Sequence, residues 1–183
     1  VRLIYHGACA SNLLLGNLLA WTRLQTDKLR LSPEKFSLSD EIEKNVQLLQ
    51  IQAQKKEIDI QVELKNKEVV TVADRQMLST VIRNLLSNAI KFSREGDTVG
   101  LKVVQEDSGI QLSVIDEGIG MPAEIQNHLF NPEERPSRPG TDKESGAGLG
   151  LLLCKEFIEA HNGEIRVESE PGQGTSFQLA IPQ

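Results

Sequence analysis

The chain has 183 residues, 39% hydrophobic and 25% charged, enough for one full domain with an appended element. A net charge of −6 and an aromatic content of only 4% argue against a nucleic-acid backbone binder and against a base-stacking platform. No apolar run reaches the ~18 residues of a membrane span. The two cysteines, Cys9 and Cys154, lack metal-ligand spacing, so reduced, packed thiols in a cytoplasmic protein are expected.

Residues 1–30 read as one helix, in which Leu14, Leu18 and Trp21 share a face that Leu15 and Leu19 widen. Such a stripe needs partner helices. The abrupt helical start reads as part of a longer protein, with room for a membrane segment upstream. Pro33 stops the pattern, and a boundary in 31–36 divides a helix and linker (1–32) from a second domain (33–183). Ser39 or Asp40 is the expected N-cap of a helix to about Lys56 carrying Ile42, Val46, Leu49 and Ala53. "IDIQVEL" and "EVVTVA" alternate like strands, and Asp74 caps "RQMLSTVIRNLLSNAIKFS". "TVGLKVVQEDSGIQLSVID" reads as a hairpin turning at Asp107–Gly109. A turn, "DEGIGMP", leads into a short helix with Pro122 as its first residue. Residues 131–147 are polar and rich in Pro and Gly, the composition of a functional loop. A helix from about 147 to 162 and the strands "GEIRVESE" and "GTSFQLAI" close the chain. This order predicts an α/β (α+β) two-layer sandwich, one mixed sheet with helices on one face.

Three stretches carry chemistry. In "NLLSNAIKFS", Asn84 and Asn88 lie four apart on one helical face, with Lys91 three residues on. A carboxamide oxygen suits Mg²⁺, which keeps water and phosphate ligands; two Asn capping neighbouring loops is the alternative. In "VIDEGIGMP", Asp116 ends a strand where a fixed carboxylate can accept from an exocyclic amine, and Gly118 and Gly120 allow close approach. An ordinary strand-to-helix turn would look the same. In "SGAGLGLLLCKEF", Gly146, Gly148 and Gly150 run into a helix N-terminus, a phosphate-binding arrangement that equally serves as a hinge. No Gly-Lys-Ser/Thr follows, so this is not a Walker loop. "GQGTSF" adds Gly172, Gly174 and Thr175 at a turn.

In this order the stretches resemble the catalytic and ATP-binding domain of sensor histidine kinases, in the superfamily that includes gyrase-type ATPases and MutL. Residues 84–93 match the family's N box, 116–120 and 146–151 its glycine boxes, and 172–177 its final Gly-x-Gly-Thr-x-Phe. The resemblance implies a Bergerat-type sandwich that binds ATP and Mg²⁺. Asn88 would hold the metal, with Asn84 assisting; Lys91 would contact phosphate and Phe92 would flank adenine. Asp116 would accept the adenine amine, sharing a water network with Thr175. Gly118 and Gly120 would make room for the base. Gly146, Gly148, Leu149 and Gly150 would shape a phosphate cradle, with 131–147 as a lid. The resemblance further implies transfer of the γ-phosphoryl to a histidine on a dimerisation helix, a homodimeric parent and a response regulator as partner.

Two departures qualify it. "HLFNPEE" keeps Phe130 but has Glu133 and Glu134 where a second aromatic is usual. His6 is followed by Gly7, Ala8 and Cys9, without the acid and Ser/Thr-Pro of a phosphoacceptor, and it stands on what looks like the second dimerisation helix. The expectation is a chain that binds Mg-ATP without phosphorylating itself, the acceptor lying outside it. His128 and His161 read as surface or capping residues. Arg135, Arg138 and Lys143 in the loop suit a solvated cluster as well as phosphate contact. A superfamily ATPase clamp and a non-catalytic ATP-binding module stay open, although Asn84 stands where such a clamp has a water-activating Glu.

Overall fold

The computed structural model describes residues 31–66, 68–131, 140–142, 144 and 149–182. The helix predicted over 1–30 with His6 and Cys9, most of the 131–147 loop, and Gly146 and Gly148 lie outside the described residues. Seven strands and four helices are described, in the order β1 (Glu34–Ser37), α1 (Leu38–Lys55), β2 (Asp59–Leu64), β3 (Val70–Ala73), α2 (Arg75–Phe92), β4 (Thr98–Glu106), β5 (Gly109–Asp116), α3 (Ala123–His128), α4 (Gly150–Ala160), β6 (Glu164–Glu170) and β7 (Gly174–Pro182).

A mixed sheet of order β2-β4-β5-β7-β6 forms one layer, parallel only between β2 and β4. Alternation decides its two faces. Val99, Leu101 and Val103 of β4, Ile110, Leu112 and Val114 of β5, and Phe177, Leu179 and Ile181 of β7 are buried. Lys102, Gln111 and Ala180, between them, are exposed. The buried face carries α2, which packs on β4 and β5, with α1 over β2 and α4 over β6. The helices α1 and α2 run parallel in a constant register. Glu41 pairs with Arg75, Asn45 with Ser79 and Lys56 with Ile90, each 34 residues apart.

Four expectations need correction. The sheet is not single: β3 leaves it and pairs antiparallel with β1, a strand the short "EKFS" did not announce. The cap of α1 is Ser37, whose Oγ accepts the Asp40 N–H at 3.2 Å. Ser39 is committed elsewhere, its Oγ accepting from Val69 N–H at 3.0 Å, and Asp40 lies in the first turn. Pro122 is the N-cap of α3 rather than its first residue. The last helix starts at Gly150, with Leu149 at the N-cap, and ends at Ala160.

His161, the C-cap of α4, ties the helices together. The Asp74 N–H donates to its Nε2 at 3.0 Å, and its Nδ1–H donates to the Phe157 carbonyl at 2.6 Å. Asp74 in turn caps α2, its Oδ1 accepting from Met77 N–H, while Oδ2 accepts from Ser32 N–H. His161→Phe leaves the Asp74 N–H without its acceptor, which costs about 1–3 kcal/mol. A lower urea midpoint at unchanged m-value is the expected reading.

Candidate functional site

The site grows from the end of β5 and the C-terminal half of α2. Asp116 closes β5, pairing across the sheet with Thr175 of β7. It is only 5% exposed. One carboxylate oxygen accepts the Gly118 N–H at 3.0 Å, and the Thr175 N–H also hydrogen-bonds the group. Burial outweighs these donors and pushes the carboxyl up from 3.8 to about 6. Gly118 lies against α2: a Cβ there would stand 2.2 Å from the Phe92 carbonyl, which also accepts the Ile119 N–H at 3.1 Å. Gly120 takes φ +59, and a Cβ would strike the Glu170 carbonyl. Only glycine closes this turn.

Thr175 is braced by a residue that sequence reasoning missed. Ser169 Oγ donates to the Gly174 carbonyl at 2.7 Å, accepts from Met121 N–H at 2.9 Å and lies 3.0 Å from Thr175 Oγ1. Gln126 Nε2 donates to the Met121 and Ser169 carbonyls. These bonds hold the glycine turn against β6 and β7.

On α2, the two asparagines have different surroundings. Asn84 is buried against α4, where a Cβ on Gly150 would meet its Oδ1 at 3.1 Å. It also hydrogen-bonds the Cys154 thiol, one turn further along α4. Cys154 is fully buried, which pushes its thiol up to about 12 and keeps it a packed, protonated group. Asn88 is half-buried, one turn nearer the C-terminus. Lys91 is half-buried, its ammonium 4.9 Å from the centre of the Phe92 ring. Burial lowers its pKa, against the opposing effect of Glu144. Asp116, Gly118, Gly120, Phe92 and Thr175 thus form one connected cluster, and Lys91 adjoins it through Phe92. Gly150 and Leu149 stand at the start of α4, beside Asn84. Among the described residues no group of three or more His, Cys, Asp or Glu side chains converges.

Residues 73–183 match the family described as "Histidine kinase-, DNA gyrase B-, and HSP90-like ATPase". The chain belongs to that family. Among its relatives, the alginate biosynthesis sensor protein KinB of Pseudomonas aeruginosa is 35% identical over 170 residues, covering 93% of this chain and 28% of KinB. The chain therefore spans about a quarter of that curated relative. The catalytic domain of the histidine kinase ThkA superposes with a TM-score of 0.72 at 28% identity, covering 82% of this chain and 95% of that one. Full-length ShkA, solved in complex with AMPPNP, gives 0.77 at 26% identity, covering 92% of this chain and 35% of ShkA. The described residues have the fold of a histidine kinase ATP-binding catalytic domain, homologous to those of two-component sensors. Among the described residues no helix is long and apolar enough to cross a membrane.

Proposed function

We propose that this domain binds Mg-ATP between the Asp116 cluster and the C-terminal half of α2 and serves histidine phosphorylation in a longer sensor protein. The observation that carries it is Asp116, a buried carboxylate held by the Gly118 N–H beside a turn that admits no side chain. Such a group is built to accept hydrogen bonds from a donor edge, and the exocyclic amine of adenine is one. Thr175, braced by Ser169, backs the same edge. Phe92 flanks the base, and Gly118 and Gly120 let the turn close beside it.

Magnesium takes one or two ligands from a protein and the rest from water and phosphate. Asn88 is the proposed ligand, its half-buried carboxamide being open to a ligand; Asn84, buried against α4, sets where Gly150 and Leu149 meet the phosphates. When bound, the ion neutralises phosphate charge during transfer. Lys91 adds a cation on the same side, and Gly150 opens α4 with its backbone N–H. The chain's contribution is positioning and fixed dipoles.

The proposed acceptor is a histidine on a dimerisation helix other than His6, the parent acts as a homodimer, and a response regulator takes the phosphoryl group. Calorimetry tests the site. Asn88→Ala should weaken binding of an ATP analogue at least about tenfold in the presence of magnesium and little in its absence. Equal binding by both chains in magnesium would remove Asn88 from the site.

A further inference from the structure

We propose that Lys56 is a positioning residue for nucleotide binding, its ammonium fastening the end of the loop between α3 and α4 to the C-terminal end of α2. This rests on the ATP-binding reading above. Lys56 follows α1, a helix with no residue in the proposed nucleotide site, yet its side chain is only 7% exposed. An ammonium so buried is costly unless fully paired. Here Nζ donates to the Ile90 carbonyl at 2.8 Å, the Lys91 carbonyl at 3.1 Å, Thr141 Oγ1 at 2.5 Å and Glu144 Oε1 at 3.2 Å. The two carbonyls belong to the last turn of α2, where intrahelical donors run out and the helix dipole favours a cation. The other two acceptors come from the loop.

Those loop residues are themselves tied down. The Thr141 N–H donates to the Lys91 carbonyl at 3.1 Å, and its hydroxyl donates to the Ser93 carbonyl at 2.6 Å. Glu144 closes the loop end on itself: its Oε2 accepts the Asp142 N–H at 2.8 Å, and its carbonyl accepts the Gly140 N–H at 3.0 Å. Gly140 is buried between Glu144 and the stem of Lys91, where a Cβ would stand 2.3 Å from Glu144 Oε2, 2.6 Å from Lys91 Cγ and 2.8 Å from the Lys91 carbonyl oxygen. The joint therefore presses on the lysine proposed to face phosphate. Without the Lys56 ammonium, the Glu144 carboxylate loses its ion pair and the Ile90 carbonyl its ammonium donor, leaving the loop held by Thr141 alone. The loop end would then release Lys91.

The test compares the chain with Lys56→Met, Gly140→Ala and Glu144→Gln. It reads affinity for magnesium and a non-hydrolysable ATP analogue, hydrogen exchange at Thr141 and the urea midpoint. Lys56→Met should weaken binding about tenfold and speed Thr141 exchange about 100-fold. Gly140→Ala, whose Cβ would crowd the Glu144 carboxylate and Lys91 without touching α1, should reproduce both. It decides the matter if Lys56→Met does not fold. Glu144→Gln, which keeps an acceptor but loses the charge, should cost about threefold. Unaltered affinity in a folded Lys56→Met or in Gly140→Ala overturns the proposal. Failure of the unsubstituted chain to bind the analogue overturns the ATP reading instead, and Thr141 exchange then still reports whether the joint exists.

Discussion

Asp116→Asn is expected to weaken adenine-nucleotide binding about 100-fold while leaving the domain folded and, at pH 7, more stable. The carboxylate of Asp116 spends lone pairs on the Gly118 and Thr175 N–H groups and keeps others for a ligand. An asparagine can satisfy the backbone donors with its one carbonyl oxygen, but its NH₂ then faces the adenine amine, donor against donor. Losing the bond and leaving a buried donor unpaired costs about 2–3 kcal/mol, or about 100-fold in affinity. Calorimetry with an ATP analogue reads this directly; a loss below about threefold would mean that Asp116 does not face the base.

The stability change has the opposite sign, and its pH dependence follows from the raised pKa. A carboxyl that titrates at about 6 when folded and at 3.8 otherwise binds its proton more tightly in the fold. Its favourable contribution is complete below 3.8 and is lost as pH rises through about 6, above which the buried charge is a burden. Removing that charge should raise unfolding free energy at pH 7 by on the order of 2 kcal/mol and flatten its slope between pH 4 and 7. Nucleotide affinity should move the other way. The ionised fraction of Asp116 falls about tenfold from pH 7 to pH 5, and binding falls with it. The nucleotide's own titration is common to the Asp116→Asn chain and cancels in the ratio of the two. A site that costs stability where it binds best is what function, rather than packing, would select.

The helices and the strands of the five-stranded sheet were legible because local pattern decides them. The apolar period of α2 and its Asp74 cap, whose Oδ1 accepts Met77 N–H at 3.1 Å, are set within a few residues. The β4–β5 hairpin turns at Asp107–Ser108, as alternation and Gly109 require. What escaped depends on distant partners. Strand β1 exists because β3 pairs with it across 39 residues at Glu34–Ala73, and Ser37 became the cap because Ser39 is drawn to Val69. The candidate site divides the same way. Asp116, Gly118 and Gly120 announce themselves as a motif, whereas the proximity of Asp116 to Thr175 needs β5 and β7 to be neighbours. Lys56 had one signal: it falls three residues after Ala53, on the apolar phase of its helix, where a charge demands a partner. That partner lies 85 to 88 residues away, beyond any local pattern.

Gly174→Ala should be among the most damaging single-methyl substitutions in the site. Gly174 opens β7 with φ +91, and a Cβ would lie only 1.9 Å from the Asp116 carbonyl and 2.9 Å from Glu117 Cα. Both neighbours are backbone, so no side-chain rotation relieves the contact. The strand must shift, and the Asp116–Thr175 pair that orients the carboxylate is the first register pair beside it. Strain at positive φ and a backbone clash together cost about 3 kcal/mol or more. Gly172 separates these two terms. It has φ +82 but nothing within 4 Å of its would-be Cβ, so Gly172→Ala should cost only about 1 kcal/mol and leave nucleotide affinity intact. Urea midpoints and calorimetry on the pair therefore distinguish backbone strain from close approach. Equal losses in the two variants would show that the contact with Asp116 contributes nothing to the site.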